Sequence, residues 1–136
     1  MDLRTWVEQL RRAVNAHDVD AVVACFAPDY TNETPAHPGQ GFVGHEQVRT
    51  NWTRIFAGVP DITADVLRTA VQGDELWSEW EMRGTRPNGL PHLMRGVIIF
   101  TVVNGVAAAA RFYLETVDPG AGGVDAAVTR IVEVER

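Results

Sequence analysis

The chain has 136 residues, 46% of them hydrophobic and 22% charged, which is one ordinary domain able to bury a core and is neither a disordered nor a fibrous composition. A formal charge of -6, with 12 scattered Lys and Arg, argues against nucleic acid as partner. No apolar run is long enough to span a bilayer, and the start of the chain shows no secretory pattern.

Leu3, Val7, Leu10 and Val14 recur at helical spacing behind Asp2, so a first amphipathic helix is expected over Leu3 to Ala16. After a break at His17, Asp18 is a second cap candidate, and Val19, Val22, Val23 and Phe26 continue a short helix until Pro28. The two helices are expected to pack as a hairpin. Cys25 is the only cysteine, so no internal disulfide is possible, and a reducing cytoplasm is the expected location. Its apolar neighbours give Cys25 a packing role.

Tyr30 to Thr34 reads as a short polar strand, followed by a loop rich in proline and glycine from Pro35 to Gly41. A third helix is expected from His45 to Ala57, with Val48, Trp52, Ile55 and Phe56 on one face; Gly58 and Pro60 end it. From Asp61 the period changes to two. Strands are expected over Ile62 to Val71, Leu76 to Arg86, Leu93 to Val103 and Val106 to Val117, with Asn104-Gly105 as the strongest hairpin signal. Helices first and meandering strands afterwards make an α+β domain, with helices covering one face of the sheet. Beyond Pro119 a glycine-rich link leads to Val124, Val128, Ile131 and Val132 at helical spacing. The whole chain, 1–136, is thus expected to be one domain, with 119–136 as an extension ending in a short helix.

Arg111, Tyr113 and Glu115 alternate along the last strand, so they share one side of it while Phe112 and Leu114 share the other. If the polar side meets a cavity it is a candidate site, and if it meets water it is ordinary sheet surface. In a cavity, Glu115 is the candidate acid or base, Tyr113 a hydrogen-bond donor and Arg111 a charge that favours the carboxylate ion.

This order of elements resembles the SnoaL-like group of the nuclear transport factor 2-like superfamily over Leu3 to Val117. The resemblance is carried by Asn15-Ala16-His17-Asp18 with Val22 and Phe26, by Gly44-His45-Glu46-Gln47-Val48, and by Phe56, Pro60-Asp61 and Gly73-Asp74. Glu79-Trp80, Gly84-Thr85, Phe100 to Gly105 and Arg111 to Glu115 complete it. It implies a cone-shaped, cystatin-like fold in which a curved mixed or antiparallel sheet, with N-terminal helices on its concave face, encloses an apolar pocket. It also implies a homodimer paired through the sheets. Such a fold serves polyketide cyclases, ketosteroid isomerases, epoxide hydrolases, dehydratases and non-catalytic binding modules, so fold alone does not name the reaction.

Within that resemblance Glu115 stands where several relatives have an aspartate acid or base. Glu33, ahead of Thr34-Pro35, and Arg86, after Thr85, stand where cyclase-like relatives often have histidines. Glu79 and Glu81 flank Trp80 without the arginine of the epoxide hydrolase pattern. Glu33, Trp52, Trp80, Arg95 and His37 are the candidate substrate-binding residues, with Arg95 able to hold an acidic group or to pair with Glu79. His37, His45 and His92 form no zinc-like trio, and neither nucleotide-binding glycine pattern occurs, so no metal and no cofactor are expected. The expected function is cofactor-independent proton transfer on a hydrophobic carbonyl compound, as in isomerisation, cyclisation or dehydration. The alternative is a pocket or accessory subunit that binds without reacting.

Overall fold

A computed structural model describes residues 2–120 and 122–133; part of the expected extension, residues 121 and 134–136, lies outside the described residues. Helix α1 spans Leu3–Asn15, and the Asp2 carboxylate accepts a hydrogen bond from the Arg4 backbone at 2.9 Å, satisfying one of the helix's free N–H groups. Its apolar stripe buries Trp6, Val7, Leu10, Ala13 and Val14. At its end the Asn15 amide accepts from Ala64 N at 2.7 Å and donates to Ala64 O at 2.9 Å, pinning α1 to the sheet as a neighbouring strand would.

Asp18 caps α2, Val19–Val23, which is shorter than expected. Phe26 opens strand β1, Phe26–Glu33, instead of closing the helix. The reason is tertiary: Phe26 pairs with Ala107 across the sheet, and its ring sits edge-on to Trp6 and Tyr30 at centroid distances of 6.3 and 4.7 Å. Pro28 is tolerated in β1 because it falls in the irregular stretch between the Phe26 and Thr31 pairings, where no ladder N–H is required.

The loop that follows contains one 3-10 turn, Pro38–Gln40, and the two-residue strand β2, Phe42–Val43. Helix α3 is His45–Gly58. Strands β3 (Thr63–Gln72), β4 (Glu75–Thr85), β5 (Pro91–Val103) and β6 (Val106–Thr116) lie within two residues of their expected ends. The Asn104-Gly105 turn has φ of +55° and +79° in its two central residues, the left-handed pair that a tight hairpin requires.

The six strands form one open sheet in the order β2-β1-β6-β5-β4-β3, antiparallel except for β1 beside β6. Mixed pairing follows from connectivity, because β1 enters from the helices and the later strands meander back to it. One face packs against α1 and α3 and carries Leu76, Trp80, Ile98, Phe100 and Ala110, all nearly inaccessible. Helix α4, Val124–Glu133, buries none of its side chains. No helix among the described residues is long and apolar enough to cross a membrane.

Candidate functional site

Beyond its irregular start β1 settles into strict alternation, with Tyr30 and Asn32 facing inward and Thr31 and Glu33 outward. Tyr30 and Asn32, with Phe26 before them and Phe112 from β6, form the deep side of a cavity of about 470 Å³. Val48, Trp52 and Ile55 of α3 form the facing wall. Gln40, Gly41 and Gln47, all exposed, complete the rim. A volume of this size and an aromatic lining with a few polar groups are what small-molecule sites have.

The polar groups at depth are ordered. Tyr30 Oη donates to Asn32 Oδ1 at 2.7 Å, and burial pushes the phenol far above its ordinary pKa, so it stays neutral. On α3, Gln47 Nε2 donates to Asn51 Oδ1 at 2.9 Å, one helical turn apart. The residues lining the cavity include no carboxylate, imidazole, guanidinium or ammonium group.

Arg111, Tyr113 and Glu115 do share one side of β6, but it is the outer side. Each is exposed, Tyr113 to 40%, while Phe112 and Leu114 pack toward the core. Helices α1 and α3 cover the other face, so the conditional expectation resolves to sheet surface for Arg111 and Tyr113. Glu115 differs because the loop after β1 reaches it: His37 Nε2 lies 2.9 Å from Glu115 Oε1. Thr34 and Gln40, on either side of His37 in that loop, line the cavity, whereas His37 and Glu115 do not.

Of the expected substrate-binding residues, Trp52 lines the cavity. Glu33 is one residue out of phase, on the outward side of β1, and Asn32 takes the inward place. Trp80 is fully buried, with its indole N–H on Ser78 Oγ at 2.9 Å, and belongs to the core. Arg95 is on the outer face, where it pairs with Glu81 at 2.7 Å; Glu79 pairs instead with Arg68 at 2.9 Å. Neither Tyr30 nor Asn32 stood out in the sequence. The signal was available in their spacing of two, but the bulge ahead of them hides which phase points inward.

Arg95, and after it Arg83, hold the Glu81 carboxyl below its ordinary range. As pH falls, the unfolded chain therefore takes up this proton before the folded one, and the pairing's contribution, complete above the ordinary carboxylate range, disappears as pH drops through the depressed value. Glu81→Gln is expected to flatten the acid limb of the stability curve, measured as urea midpoints between pH 7 and pH 3.

Cys25 is buried, and desolvation pushes its thiol up to about 11, which suits packing and not nucleophilic attack. Burial, followed by the Arg86 charge, lowers the pKa of His92, which pairs with Gly84 and stands on β5 just before Arg95, the strand partner of Glu115. Among the described residues no group of three His, Cys, Asp or Glu is placed to hold a metal ion.

Comparison with known proteins places this architecture. IdmH from Streptomyces antibioticus, a candidate polyketide cyclase, superposes with a TM-score of 0.73 at 20% identity, covering 100% of both chains. A Mycobacterium tuberculosis protein solved in complex with estradiol-17beta-hemisuccinate gives 0.69 at 22% identity over 90% of this chain and 94% of that one. A Catenulispora acidiphila protein with a ketosteroid isomerase-like fold, in complex with trimethylamine, gives 0.70 at 17% identity over 79% and 84%. No curated protein matches the chain in sequence. These likenesses establish the fold, and residues 7–110 match the SnoaL-like domain model, so the chain belongs to the SnoaL-like domain family.

Proposed function

We propose that the protein takes up a small hydrophobic molecule with a carbonyl handle in the cavity between α3, β1 and β6, and that it promotes proton transfer on that molecule without a cofactor. Isomerisation, cyclisation and dehydration are the reaction types this covers. The observation that carries the reading is the cavity itself: an aromatic hollow of ligand size with ordered hydrogen-bonding groups at its deep side. Solved proteins of the same fold hold a steroid ester and a small amine in their complexes, which supports a small-molecule occupant.

Because the lining has no carboxylate or imidazole, the acid or base in this reading is Glu115, held by His37 from the loop whose Thr34 and Gln40 line the cavity. Arg111 and Tyr113 have no part in it. The same lack favours a second reading, a pocket that binds without turnover.

The probe 2-acetylnaphthalene separates the two, since abstraction of a proton beside its carbonyl in D2O places deuterium in the methyl group, visible by NMR. The enzymatic reading expects exchange above background, reduced about 10² to 10⁴-fold in Glu115→Gln while affinity is unchanged. Binding without any enhanced exchange would leave only the second reading. In either case Trp52→Ala, which strips the α3 wall, is expected to weaken the probe's Kd about tenfold.

A further inference from the structure

Apart from the aromatic and thiol side chains, two polar side chains are buried among the described residues, Ser78 and Asn32. Ser78 is fully used, its hydroxyl donating to Ile98 O at 2.7 Å and accepting the Trp80 indole N–H at 2.9 Å. Asn32 is used on one side. Its Oδ1 accepts from the Tyr30 hydroxyl at 2.7 Å.

Tyr30 is 1% exposed, keeps its proton, and donates that proton to Asn32 alone. A phenol has one hydrogen to give, so it settles the amide with its oxygen toward the ring and its NH2 away. That NH2 has no protein partner, yet no buried side-chain nitrogen or oxygen among the described residues is unpartnered. Nδ2 is therefore open to the cavity that Asn32 lines. Buried amide donors are normally satisfied, and here the partner has to come from inside the cavity.

Asn51, on the facing wall, repeats the pattern. Its Oδ1 is taken by Gln47 Nε2, which leaves its NH2 spare. Both asparagines thus offer donors to the cavity, while each amide oxygen already accepts one hydrogen bond. No charged group stands beside them, so an ion entering would lose its water without gaining a counter-charge, which is unfavourable.

We infer that the cavity selects a neutral molecule that presents a carbonyl oxygen to Asn32 Nδ2, and that Tyr30 is a positioning residue that aims this amide. This rests on the reading of the cavity as the ligand site. Carboxylates and ammonium compounds of equal shape are excluded by the absence of any compensating charge. A hydrocarbon of equal shape fits but leaves the amide unsatisfied.

The test is calorimetric titration of the intact protein with three probes of matched shape: 2-acetylnaphthalene, 2-naphthoate and 2-isopropylnaphthalene. The ketone is expected to bind at least about tenfold more tightly than either of the others. Asn32→Leu should erase its advantage over the hydrocarbon, and Tyr30→Phe, which frees the amide to turn over, should reduce that advantage severalfold. Asn32→Asp keeps an acceptor for Tyr30 but removes the donor, so it should shift preference to the cation 2-(aminomethyl)naphthalene. This change of ligand charge is a readout that a merely structural role for Asn32 does not produce. Should Asn32→Leu fail to fold by circular dichroism, the Asp and Phe variants decide. Equal binding of ketone and naphthoate, or a ketone advantage that survives loss of the Asn32 amide, overturns the inference while the cavity stands as a ligand site. If none of the three probes binds, the site reading itself falls and takes the inference with it.

Discussion

Gly96→Ala is expected to be the most damaging single substitution in the sheet. Gly96 lies inside the long strand β5, paired with Trp80 on one side and Leu114 on the other, at a φ of +152° that side chains rarely adopt. A methyl group there would sit 2.1 Å from the Tyr113 carbonyl oxygen and 2.8 Å from the Leu114 Cα. Both atoms are backbone and cannot swing aside, so β5 and β6 would have to part where they carry the core face. The loss should exceed about 4 kcal/mol, the range reserved for changes with a specific steric cause. Gly105→Ala supplies the contrast: its φ is also positive, at +79°, but nothing lies within 4 Å of the added methyl. It should cost about 1–2 kcal/mol from backbone strain alone. Denaturant midpoints of the two variants check the ordering, and comparable losses would contradict the steric explanation.

Trp6→Ala is the second large effect, and it reaches the cavity from behind. Trp6 is fully buried, edge-on to Phe100 at 4.7 Å, and its indole N–H donates to Cys25 O at 3.1 Å. It also supports Phe26, which lines the cavity between α3, β1 and β6. Removal takes away the apolar contacts, leaves a void and costs the Cys25 carbonyl one of its two donors, the Ala107 N–H remaining at 2.9 Å. The expected cost is about 3–5 kcal/mol. For a chain of this length that is a fall in Tm of roughly 10–20 °C, readable by circular dichroism. Because the new void adjoins Phe26, probe affinity should fall as well, even in the fraction that remains folded. A variant with reduced Tm but undiminished affinity would show that Trp6 and the cavity are independent.

These two positions show how legible the chain was. Gly96 could be seen in the sequence as a glycine inside a strand, but its necessity comes from the backbone of the neighbouring strand, which local periodicity does not describe. Trp6 was adjacent to the expected apolar stripe of Leu3, Val7, Leu10 and Val14, and it proves to be the stripe's most buried member. Helical spacing places a stripe without ranking the side chains within it, because the ranking depends on what packs opposite.

Phe26 marks the point where local signals give the wrong element. Its spacing from Val19 and Val22 continues a helix, and Pro28 looks like the stop. In the folded chain the aromatic contacts with Trp6 and Tyr30, together with the pairing to Ala107, draw it into β1. Such long-range contacts outweigh a helix-end preference worth only about 0.5 kcal/mol per residue.

What the residues determined unaided was periodicity: where helices and strands run, that Asn104-Gly105 turns a hairpin, and that Arg111, Tyr113 and Glu115 must stand together on one side of a strand. What only the assembled molecule decided was which side of each strand is the inside. A period of two divides a strand into two sets of residues and leaves open which set is buried until helices are laid on the sheet. Here α1 and α3 cover the Phe112 and Leu114 side, sending the charged trio outward, and the bulge in β1 turns Asn32 inward in place of Glu33. The candidate site therefore passed from charged groups that advertise themselves in a sequence to a tyrosine and an asparagine whose chemistry depends on being enclosed.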